Sequence, residues 1–239
     1  MKRTLTVLLL ILAVGLAQAQ KGEKDNHNNH HRIRTYKDFK LDLGLNNYLI
    51  KDKFPDATGE IYTLKPIGSW YVALGRVYRS YLNRNLYMEW GGDVSWYNFK
   101  FEEASTILTK FPDRVEFSTE SRMDYQSQKS KLAVTYVNAS IVPMVKLGKS
   151  RKSLRIGAGV YGGYKVDSYT RYVYNFNGQK VKDRIHSSYF IENLRYGFRG
   201  RLGYRDFDLF ANYDMNTLFT PGKGPELNPV SVGICFLDL

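Results

Sequence analysis

LRYGFRGRLGYRDFDLFANYDM, residues 194–215, holds the pattern that decides the fold. Leu194, Tyr196, Phe198 and Leu202 alternate with Arg195, Gly197, Arg199 and Arg201. Phe207, Leu209, Ala211, Tyr213 and Met215 alternate with Asp206, Asp208, Asn212 and Asp214. Successive side chains of a strand point to opposite faces, so a period of two means two strands. Only a turn at Arg205-Asp206 separates them, which makes a hairpin. Gly203 then lies opposite Asp208, and Arg201 reaches Asp208 diagonally on the same face. Each strand has one apolar, aromatic face and one face of charges and glycine.

The same period recurs along the chain. Phe39, Leu41, Leu43 and Leu45 keep it, as do Leu86, Met88, Trp90, Val94 and Trp96. So do Leu154, Ile156, Ala158 and Val160, and Val230, Val232, Ile234 and Phe236. Residues 64–81 and 131–147 are β-rich, although Arg76 shares a face with Trp70, Val72 and Leu74. The reading is eight strands at 39–48, 64–81, 86–101, 131–147, 152–169, 187–204, 206–217 and 228–236.

Connection lengths supply an independent clue. Leu82–Asn85, Gly148–Arg151 and the turn at Arg205-Asp206 are short. Leu49–Thr63, Glu102–Ser130, Tyr169–His186 and Leu218–Leu227 are long. Strict alternation of short and long is the habit of transmembrane barrels, with short periplasmic turns and longer extracellular loops. Repeated full charges beside glycine on the second face suit a polar lumen, and the apolar face then turns to lipid. The expected fold is an all-β, eight-stranded, antiparallel, up-and-down transmembrane β-barrel. Trp70, Trp96, Tyr97, Tyr196 and Tyr213 are the expected interfacial aromatics.

The ends give the address. Lys2 and Arg3 precede the apolar run Leu5–Leu16, and Ala17-Gln18-Ala19 offers small residues to a signal peptidase. This is the pattern of a secretory signal peptide cut after Ala19, too short for a spanning helix. Residues 1–19 are therefore the signal, 20–38 a flexible periplasmic lead-in, and 39–239 a barrel in the outer membrane of a Gram-negative cell. Cys235 is the one cysteine, so no disulfide framework exists within the chain.

The chain carries a net charge of +12; without Lys2 and Arg3, 33 basic residues face 23 acidic ones, giving +10. Lipid phosphates account for a basic exported chain, and no nucleic-acid motif is present. His27, His30 and His31 lack the fixed spacing of a metal site. No cofactor motif occurs.

Three segments resemble Bacteroidetes-type outer-membrane β-barrel proteins of the PorT-like group. Asn138–Lys146 is similar to that group's strand with an internal proline, here Pro143. Ile156–Tyr164 is similar to the Gly/aromatic strand that follows it, and Tyr196–Met215 to the penultimate hairpin. The resemblance spans 39–236. It implies the barrel fold, and some members resemble parts of a protein-secretion and gliding apparatus.

The inward face carries Asp42, Glu89, Asp93, Arg155, Lys165, Arg195, Arg199, Arg201, Asp208 and Asp214. Eight strands enclose a space that side chains can fill, so these charges are expected to pair as a structural plug. The competing reading is a polar path or anion site. His186-Ser187-Ser188 with Glu192 contains the ingredients of a hydrolase triad, but chain neighbours seldom meet its geometry. The expected role is non-enzymatic: extracellular loops or a periplasmic tail that bind a partner, with outer-membrane lipid and an envelope protein as partners. The alternatives are a lipid-modifying outer-membrane enzyme and a narrow channel.

Overall fold

The computed structural model describes residues 33–239, apart from 52, 56–58, 149–152, 206 and 238–239. The signal peptide, most of the lead-in and His27, His30 and His31 lie outside the described residues. Among the described residues eleven strands form: β1 Arg34–Leu49, β2 Trp70–Tyr81, β3 Leu86–Lys100, β4 Thr106–Lys110, β5 Val115–Thr119, β6 Tyr125–Leu147, β7 Leu154–Phe176, β8 Gln179–His186, β9 Leu194–Tyr204, β10 Phe207–Asp214 and β11 Asn228–Leu237.

Eight of them close a ring. The order is β6-β3-β2-β1-β11-β10-β9-β7, and β6 pairs with β7. The first strand meets the last, from Lys40 opposite Leu237 to Leu49 opposite Asn228. Every neighbouring pair is antiparallel. Closure satisfies the backbone donors and acceptors that an open edge would leave to lipid. The hairpin of β9 and β10 has the expected register, with Gly203 opposite Asp208.

The burial pattern settles which face points inward. Asp42 is 0% exposed and Arg195 3%, whereas Phe198 is 52% and Val232 56%. Charges therefore fill the inside and apolar side chains coat the outside, the inverse of a soluble barrel. Tyr78 stacks on Trp90 at 4.5 Å on the outer face, toward the periplasmic turns, where Tyr204 and Phe207 are also exposed. Trp70, Trp96, Tyr164 and Tyr196 are exposed toward the other end. Arg76 is exposed on the outer face, opposite Phe39 and Gly92. It stands two residues from Tyr78, so its stem can carry the charge to the periplasmic headgroups.

Crowding in the lumen explains one glycine. A Cβ on Gly159 would stand 2.1 Å from the backbone oxygen of Ile141. No side chain fits where β7 presses on β6.

Several boundaries differ from the sequence reading. β1 starts at Arg34, where it pairs with Tyr81, so the lead-in ends earlier than 38. The second strand begins at Trp70 rather than 64, because Pro66 cannot donate to a ladder and opens a single 3-10 turn, Pro66–Gly68. The sixth strand begins at Leu194, not 187; Tyr189 and Phe190 turn the chain with positive φ. Two long loops carry strands. β4 and β5 pair within 102–130. β7 runs on to Phe176 and returns as β8 through Asn177-Gly178, both at positive φ, the backbone of a type I′ hairpin turn.

Candidate functional site

Eight of the ten expected lumen residues are buried inside: Asp42, Glu89, Asp93, Arg195, Arg199, Arg201, Asp208 and Asp214. They are joined by Lys40 and Asn138, also buried. Arg199 donates to Asp42, and Lys40 lies 3.7 Å from Asp42 while donating to Asp93. Asn138 donates its amide to Asp93 at 2.7 Å and to the Ser95 hydroxyl at 2.9 Å. Nearer the periplasm, Arg201 stands 3.8 Å from both Glu89 and Asp208 and donates to the Cys235 sulfur at 3.1 Å. At the rim Arg79 pairs with Asp38.

Toward the outer end Arg195 donates to Asp214 at 2.8 Å and to the Tyr97 hydroxyl. Tyr161 donates to Asp214 as well. The rings of Tyr97, Tyr161 and Tyr136 surround the Arg195 guanidinium at 4.5, 4.7 and 5.1 Å. Such a cage holds a planar cation by its π-faces while the carboxylate neutralises it.

Tyr97 is therefore not an interfacial aromatic. It is 2% exposed, and Trp96 beside it faces outward. Adjacent strand residues cannot share a face. Trp70, Trp96 and Tyr196 do lie outside, and Tyr213 is half-buried on the same face. Arg155 and Lys165 sit at the two rims. Arg155 bonds to Asp208 at 3.2 Å and to the Arg205 carbonyl at 3.0 Å. Lys165 donates to the carbonyl of Ile191 at 2.5 Å and takes no part in the lumen pairs.

Six basic groups, Lys40, Arg79, Arg155, Arg195, Arg199 and Arg201, thus face six carboxylates, Asp38, Asp42, Glu89, Asp93, Asp208 and Asp214. The void among Tyr71, Asp93, Asn138, Tyr161, Arg195 and Arg199 is about 10 Å³, roughly one water. Asp42 Oδ1, Asn138 Oδ1 and Arg195 Nε have no protein partner, and single waters suit such atoms.

Above the charges the mouth is shut by an apolar cap. Tyr48, Phe99, Phe101, Leu64, Leu108, Leu218, Phe219 and Leu227 form one core with Tyr97 and Tyr136 below them. Backbone bonds lace the loops together: Glu102 N to Thr63 O, Val115 N to Lys223 O, and Thr220 N to Phe190 O. The long loops are therefore a packed lid. Periodicity cannot reveal it, since these residues lie in strand ends and turns.

His186 bonds to Asp167 at 3.1 Å, and the Ser188 hydroxyl accepts from Lys110 at 3.1 Å. These bonds do not join His186, Ser188 and Glu192. Among the described residues no group of three potential metal ligands occurs.

No protein-family model and no curated protein matches the chain. It is similar to two solved structures of Ail, the attachment invasion locus protein of Yersinia pestis. One of them is in complex with the heparin analogue sucrose octasulfate. Each is 13% identical over 84% of this chain and 97% of that chain, with TM-scores of 0.31 and 0.32.

Proposed function

We propose that the chain is a small outer-membrane β-barrel protein that acts through its folded extracellular face, by contact with an envelope partner, and not by conduction or catalysis. The observation that carries this reading is the double closure of the barrel. A charge-balanced plug fills the lumen, and an apolar lid covers the mouth. A conducting pore needs a continuous wet path, and a paired, side-chain-filled interior offers none. On the extracellular side, what remains accessible is the outer surface of the lid and of the projecting strands. The likeness to PorT-like proteins supports an envelope protein as partner.

The test is electrical. Mature protein refolded into a planar bilayer should insert, as judged by heat-modifiable gel mobility, and pass no unitary current. Regular conductance steps would overturn the closed-barrel reading.

A further inference from the structure

The strand register gathers cations that are scattered in sequence. Lys100 lies opposite Lys131, Lys131 opposite Arg171, and Arg171 opposite Arg184. Directly opposed residues share a face at about 5 Å spacing. One row thus carries four positive charges across β3, β6, β7 and β8. The parallel row beyond it holds Lys129, Val173 and Lys182. Neither row contains a carboxylate, and Asp183 falls on the alternate face with Tyr172 and Tyr174. Among the described residues none of the six cations forms an ion pair.

The like charges are held in place. Lys131 donates to Asn98 at 2.5 Å, and Arg184 lies 3.7 Å over the ring of Tyr169. Directly opposed like charges destabilise a sheet; a bound anion would relieve that repulsion.

Position names the anion. The rows lie on the outer face of the barrel, the face that carries Trp96. Lys100 is four residues beyond Trp96. That is about 13 Å along a strand tilted about 40°, so about 10 Å further from the midplane. Trp marks the edge of the hydrocarbon, and the next several ångströms are the headgroup layer.

We propose that Lys100, Lys131, Arg171 and Arg184, with Lys129 and Lys182, form a binding site for the phosphate groups of an outer-leaflet lipid headgroup. The proposal rests on the membrane reading above. Arginine forks and lysine point charges together suit phosphate oxygens.

The test uses the whole mature protein in detergent and native mass spectrometry. The probes are phosphorylated lipid A, the same lipid after phosphatase treatment, and inorganic phosphate. The wild type should retain the phosphorylated lipid in preference to the dephosphorylated one. The variant Lys131→Gln, Arg171→Gln, Arg184→Gln should weaken that retention about a hundredfold, each charge being worth about fivefold at an anionic surface. The control Arg34→Gln, Lys37→Gln, Arg84→Gln removes the same charge at the periplasmic rim and should retain the lipid as the wild type does. Equal retention by wild type and the first variant, or equal retention of both lipids, would overturn the proposal. So would full displacement of the lipid by millimolar inorganic phosphate, which would mark a free-anion site. Heat-modifiable mobility in vesicles, measured on every variant, separates the failures. Insertion without lipid preference defeats this site alone, whereas failure to insert defeats the membrane reading with it.

Discussion

Asp42→Asn tests the plug at its most buried carboxylate. Asp42 is fully buried, and the Arg199 that donates to it comes from the far side of the barrel, 157 residues away. The substitution keeps shape and an acceptor oxygen but removes the charge. Charge centres about 4 Å apart at an effective dielectric of about 20 interact by about 4 kcal/mol. Without Asp42, Arg199 would face Lys40 and Arg201 with no carboxylate of its own. The expected loss is about 3–5 kcal/mol, the usual cost of breaking a buried pair from one side. Arg199→Met should cost a similar amount, since it strands Asp42. The double variant leaves no lone charge, so it should lose at least about 2 kcal/mol less than the two single losses together. Urea unfolding of vesicle-reconstituted protein reads all four corners of the cycle. Trp70, Trp90 and Trp96, exposed on the outer face, report it by fluorescence. If the single losses add to within about 0.5 kcal/mol, the pairing across the lumen is refuted, and the inward face of β1 with it.

Further outcomes follow from the same geometry. Asp208→Ala removes the carboxylate shared by Arg155 and Arg201; it should lower the urea midpoint by the equivalent of about 1–3 kcal/mol, and Arg201→Ala in that background should lower it further, because the buried Glu89 then loses its cation. Gly159→Ala drives a Cβ into the Ile141 carbonyl, so the folded band on unheated gels should fall in yield or vanish. N-terminal sequencing of the membrane-embedded form should begin at Gln20; an intact Met1 would sink the signal-peptide reading.

The asymmetry between what was legible and what was not has a physical origin. Alternation is a local property, and it displays a strand wherever one face meets lipid and the other meets charge. Leu194 to Met215 shows this without any knowledge of neighbours. Connection length is local too, which is why the meander could be read. Some local cues compete with one another. The aromatic character of Tyr97 points to the girdle, although Trp96 beside it already takes the outer face. Pro66 signals that β2 starts after it, and Asn177-Gly178 is a hairpin signal within a long connection.

By itself, then, the sequence determined the eight spanning strands, their alternating connections and the two chemical faces, because these follow from backbone period and turn chemistry. The tertiary structure alone decided what closure brings together. Arg199 meets Asp42, Arg195 enters a cage of three tyrosines, Phe99, Phe101 and Phe219 join in one lid, and four cations align in one row. Each of these depends on register and on which strands face across the ring. Register emerges only when every strand finds both neighbours, a many-body condition that no window of sequence contains.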